Sequence, residues 1–128
     1  MKRISIIGLC AAAMFLAVAA RAADKQTWSG TLVDAYCYLQ DNSNTGNEHS
    51  GMAECGTDCL KNGRPAGLLT ADKKFYNLVV ASPALAKYVG KPIRVTGDLY
   101  GSSIVANKVE VKQGDKWVAV DIDIKGMM

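Results

Sequence analysis

Three cysteines and the chain's only histidine fall within one polar stretch: Cys37, His49, Cys55 and Cys59, separated by 11, 5 and 3 residues. Thiolate and imidazole are the side chains that hold soft and borderline metal ions. Cys55 and Cys59 stand four apart, so on a helix they share one face about 6 Å from each other and chelate one ion with little rearrangement. His49 and Met52 continue the stripe if that helix starts early, and Cys37 reaches it from just past the first strand. Three thiolates and one imidazole make a four-coordinate set suited to Zn(II). Met52 as a further donor shifts the preference toward Cu(I). Asp34 and Asp58 are expected behind the ligands, orienting His49.

The same cysteines admit a second reading. Cys37 bonded to Cys55 or Cys59 closes a loop of about 18 to 22 residues, a crosslink worth about 3 kcal/mol to a small domain. His49 is then an ordinary loop residue. A third reading is thiol–disulfide exchange at Cys55 and Cys59. Other chemistry finds little support. There is no C-x-x-C-H for haem attachment and no glycine-rich phosphate loop. Ser50 adjoins His49, but neighbours in sequence rarely reach nucleophile–base geometry. Trp28, Tyr36 and Tyr38 cluster around the first strand, where they pack or stack a planar ligand such as a sugar.

The elements that must hold these residues begin after an expected leader. Lys2 and Arg3, the apolar Ile4 to Ala19, and Ala20-Arg21-Ala22 read as a signal peptide over residues 1–22. The domain expected to follow spans residues 23–128, outside the cytoplasm (periplasmic or secreted), with no membrane attachment after cleavage. Lys2, Arg3 and Arg21 leave with the leader, so 15 basic residues fall to 12 against 12 acidic ones. A neutral domain gives no reason to expect nucleic-acid binding. Cys10 also leaves, so four cysteines become three, an odd number in an oxidising compartment.

Trp28 to Asp34 alternates as a strand, and the polar stretch of about 36–64 reads as loop, turning helical over Met52 to Lys61 with a stop at Asn62-Gly63. Gly56 is unfavourable inside that helix. Ala66 to Thr70 and Lys74 to Val80 form a hairpin. Ser82-Pro83 starts a short helix, Ala84 to Val89, that stops at Gly90. Pro92 to Tyr100, with Ile93, Val95 and Leu99 inward, pairs with Ile104 to Val111, and Trp117 to Ile122 follows. The tail, about 123–128, frays. Five to six strands with one short helix between strands three and four is the order of a small OB-type barrel, and Gly97 permits its bend. An open antiparallel sandwich with one helix is the alternative.

Gly30-x-x-x-Asp34-x-x-Cys37, then His49, Cys55-x-x-x-Cys59 and Gly63, and Gly90-Lys91-x-x-x-Val95-Thr96-Gly97 together resemble a family of small exported bacterial proteins. The resemblance runs from Gly30 to about Val111 and departs at Tyr38, where glycine is usual. It implies an OB-like domain outside the cytoplasm with the Cys/His loop as its shared feature, and brings no activity with it. The expectation is a non-enzymatic exported binding protein whose loop holds a Zn or Cu ion or is locked by a disulfide. The competing expectation is a carbohydrate- or peptide-binding domain of the cell envelope in which the loop is scaffolding.

Overall fold

Leu32 and Val33, adjacent on one strand, are both fully buried, and they divide the molecule into an inner and an outer core. The computed structural model describes residues 25–123. The expected leader, with Cys10, and the tail beyond residue 123 lie outside the described residues. Six strands form one sheet: β1 (Gln26–Asp34), β2 (Ala66–Leu69), β3 (Phe75–Val79), β4 (Pro92–Tyr100), β5 (Ser103–Gln113) and β6 (Lys116–Val120). Their order is β3-β2-β1-β4-β5-β6, and β3 pairs again with β5 in parallel, so the sheet returns on itself. The remaining pairings are antiparallel. Three helices accompany them: α1 (Ala35–Gln40), α2 (Cys55–Lys61) and α3 (Ser82–Leu85), the last continued by a 3₁₀ turn over Ala86–Tyr88.

Strand β1 makes the closure possible by changing partners. Its first half pairs with β4 and its second half with β2, both ladders meeting at Thr31. Gly30 sits at the change, where a β-carbon would strike the Leu69 carbonyl. On β4 and β5 the register shifts between Thr96 and Gly97, leaving Asn107 without an opposite residue. Such a bulge bends and twists the pair, as expected of Gly97. Leu32, Leu68, Leu78, Ile93, Val95, Ile104, Val109 and Val111 fill the interior, and α2 and α3 add Leu60 and Leu85 to it. Val33, Leu69 and Tyr38 form the smaller outer cluster with Phe75, on which the Tyr38 ring stacks at 5.3 Å. That stack seats α1 against the hairpin.

Several sequence expectations need correction. The segment after Asp34 is helical, not loop: Asp34 caps α1, its Oδ1 accepting the N–H groups of Tyr36 and Cys37 at 2.9 and 3.3 Å. Ala81, not Ser82, is the N-cap of α3, with Ser82 and Pro83 inside its first turn. Leu99 is 42 % exposed, because it stands at the tip of the β4–β5 hairpin beyond the buried row of Ile93, Val95 and Gly97. Helix α2 does form around Gly56, for a packing reason: a β-carbon there would meet Val89 Cγ1 at 2.6 Å and Asn47 Oδ1 at 3.1 Å.

Across β4 and β5, Arg94 and Glu110 stand directly opposite. Arg94 Nε donates to Glu110 Oε2 at 2.8 Å, and Lys108 Nζ lies 3.0 Å from Oε1. Arg94 and then Lys108, as donors and as charges, pull the Glu110 carboxyl down to about 2. A lowered folded-state value stabilises the fold above the ordinary carboxylate range, and that contribution disappears as pH falls toward 2. The urea midpoint should therefore drop between pH 4.5 and 2 more steeply in the wild type than in Glu110→Gln. Parallel curves would show that the pair contributes nothing.

Candidate metal centre

Three separate pieces of chain bring the donors together. Cys37 sits in the first turn of α1, fixed by the Asp34 cap. Cys55 and Cys59 lie one turn apart on α2. Between the helices, His49 and Met52 pair through two backbone hydrogen bonds, 3.2 Å and 2.9 Å. The turn they enclose, Ser50-Gly51, has φ of 51° and 78°, the two positive values of a tight type I′ hairpin. Serine adopts that conformation reluctantly, and the paired flanks hold it there. Asn47 ties this hairpin to α2: its carbonyl accepts the Gly56 N–H at 2.9 Å, and its Oδ1 accepts the Thr57 N–H at 2.7 Å. Since no side chain of α2's own N-cap residue does this, Asn47 supplies the capping from outside the helix. Thr57 Oγ1 then donates to the Ala86 carbonyl at 3.0 Å, anchoring α2 to the turn after α3.

The result is two overlapping groups of ligand atoms. Cys37, His49 and Cys55 offer atoms all within 4.8 Å of one another, and so do Asp34, Cys37 and Cys59. Cys37 belongs to both. All four residues singled out by spacing therefore converge, although not as one equidistant set. His49 is 3 % exposed. Its Nε2 lies 2.6 Å from the Gly46 carbonyl, a contact that fixes Nε2–H as donor, while Nδ1 is buried without a hydrogen-bond partner. A neutral imidazole held in this tautomer presents a bare lone pair at Nδ1, as metal-bound histidines do when a carbonyl takes the other nitrogen.

The surrounding residues differ from expectation. Asp34 does not orient His49; the Gly46 carbonyl has that role, and Asp34 stands among the thiols of Cys37 and Cys59. Asp58 is exposed and faces Lys61 at 3.9 Å. Met52 is 56 % exposed, because the hairpin ends before α2 begins and no continuous helical stripe runs from His49 to Cys55. Sequence reasoning thus missed that Asp34 lies against the thiols, although its spacing to Cys37 was the available signal: a helix-capping aspartate is carried to the face of that helix's first turn.

Among the described residues, Cys37, Cys55 and Cys59 are free thiols. Burial first, then the Asp34 carboxylate, pushes Cys37 up to about 11 and Cys59 up to about 12. Both are therefore protonated at neutral pH, the opposite of what thiol–disulfide exchange requires. A divalent ion among them would reverse this, since a coordinating thiol gives up its proton outright.

The aromatic residues around β1 do not make one platform. Trp28 packs against Tyr76 with ring centroids 6.2 Å apart, Tyr38 is buried against Phe75, and exposed Tyr36 carries the Arg64 guanidinium 4.1 Å above its ring. A separate groove of about 650 Å³ runs beside Ser29, Thr31, Thr45, Thr70 and Trp117. No helix among the described residues is long and apolar enough to cross a membrane. Comparison with protein families, with curated proteins and with solved structures found no match to this chain.

Proposed function

We propose that this is an exported, non-enzymatic metal-binding protein on an OB-like barrel, holding Zn(II), or Cu(I) in its place, through Cys37, His49, Cys55 and Cys59. One observation carries the reading: a buried imidazole, grouped with the thiols of Cys37 and Cys55, whose Nε2 is taken by a backbone carbonyl and whose Nδ1 is buried without a partner. Buried nitrogens without partners are rare in folded proteins, and a cation satisfies this one. Cys59 comes to the same sulfur cluster through Cys37, giving the four-ligand set typical of zinc. Both nitrogens of His49 are engaged in this arrangement, which argues against a general-base role beside Ser50. The ring order β1-β2-β3-β5-β4, with α3 between β3 and β4, supports the OB-like reading.

Metal content and thiol count test this together. Protein purified from the periplasm without chelators should carry at least one metal equivalent per chain, with cysteines that react only after acid release. Metal-free protein with a single reactive thiol would mean a disulfide and would remove the reading. A second reading, carbohydrate binding, draws on the groove, where Ser29, Thr31, Thr45 and Thr70 bring hydroxyls and Trp117 an indole ring. Saturable quenching of tryptophan fluorescence by cell-wall oligosaccharide that survives chelation would favour it.

A further inference from the structure

A single ion leaves the second carboxylate oxygen of Asp34 without a partner. This carboxylate is 0 % exposed and sits against two thiols, and its Oδ2, unlike Oδ1, has no hydrogen-bond partner. We infer that the cluster holds two divalent cations side by side, bridged by the Cys37 thiolate. One lies among Cys37, His49 and Cys55, the other among Asp34, Cys37 and Cys59. The inference rests on the metal-binding reading and extends it from one ion to two.

The geometry divides the donors in this way. Each group of three is internally within 4.8 Å, and the only atom common to both is Cys37 Sγ. A thiolate sulfur has lone pairs enough for two ions. Each group also contains one buried polar atom with no partner: His49 Nδ1 in the first, Asp34 Oδ2 in the second. One ion at the first position satisfies the imidazole and leaves the carboxylate oxygen unpaired, whereas two ions satisfy both. Charge leads to the same count. Three thiolates and one carboxylate carry four negative charges, which two divalent ions neutralise. With one ion among Cys37, His49 and Cys55, the Asp34 carboxylate remains uncompensated at a fully buried position, with the exposed guanidinium of Arg64 as a neighbouring cation. Uncompensated buried charge is among the costliest features a fold can hold.

Zinc stoichiometry decides the matter. The reduced, metal-free protein is titrated with Zn(II) alone, desalted, and analysed for metal per chain. Two equivalents are expected. Asp34→Asn should fall to one, because the amide oxygen still accepts the Tyr36 and Cys37 N–H groups and keeps the α1 cap while losing the anionic ligand. Cys59→Ser, which leaves that cap untouched, should also fall to one. One equivalent in the wild type, or two in both variants, overturns the bridged pair and leaves a single-ion centre. No bound zinc in the wild type overturns the metal-binding reading itself.

Discussion

Zinc at about 100 times its dissociation constant should raise the melting temperature of the reduced protein by about 10 °C or more. An ion that binds only the folded chain at that excess contributes about 2.7 kcal/mol. Each kcal/mol moves the midpoint of a domain this small by about 4 to 8 °C. The stabilisation should be large because the ion would crosslink three pieces of chain: the first turn of α1, the His49–Met52 hairpin, and α2. Differential scanning calorimetry with zinc and then with excess chelator measures it. The shift should also grow with pH. Cys37 and Cys59 keep their protons up to about 11 and about 12 in the metal-free protein, so zinc must displace protons to bind. Lowering the pH returns those protons and weakens binding. A melting temperature unmoved by zinc at pH 8 would contradict the account.

Cys37→Ser should lower zinc affinity by more than about 100-fold. Loss of a residue that merely orients a ligand costs about 10- to 100-fold, and Cys37, common to both groups, is proposed as a direct donor. Met52→Ala, at an exposed position on the same hairpin, should leave affinity unchanged. Competition against a zinc chelator reads both variants, with circular dichroism showing that α1 and α2 persist. Affinity within ten-fold of wild type in Cys37→Ser would mean that the ion, if bound, does not use the sulfur on which the arrangement turns.

Much of this architecture was legible in the residues, for identifiable reasons. The strands announced themselves through alternation, and the hairpin of Ala66 to Thr70 with Lys74 to Val80 and the bend at Gly97 followed from local rules. A sheet that closes on itself followed from the element order, but the parallel register of β3 on β5 did not, because a pairing between distant strands leaves no mark on local periodicity. In the site, the four soft donors stood out by type alone, and Cys55 and Cys59 share a helix as their spacing implied. What spacing could not give was the path between them. Ser50-Gly51 reads as generic loop, yet its two positive φ angles fold His49 back rather than extending a helical stripe. Nor could it give α1, whose six residues carry no amphipathic signal of their own. That helix depends on the Asp34 cap and on Tyr38 stacking against Phe75, a partner 37 positions away in sequence.

X-ray absorption at the zinc edge of the reconstituted protein tests the central claim most directly, since it sees only the atoms bound to the ion. Sulfur scatterers at about 2.3 Å together with nitrogen or oxygen at about 2.0 to 2.1 Å are expected. A shell of light atoms alone, with no sulfur, would contradict it.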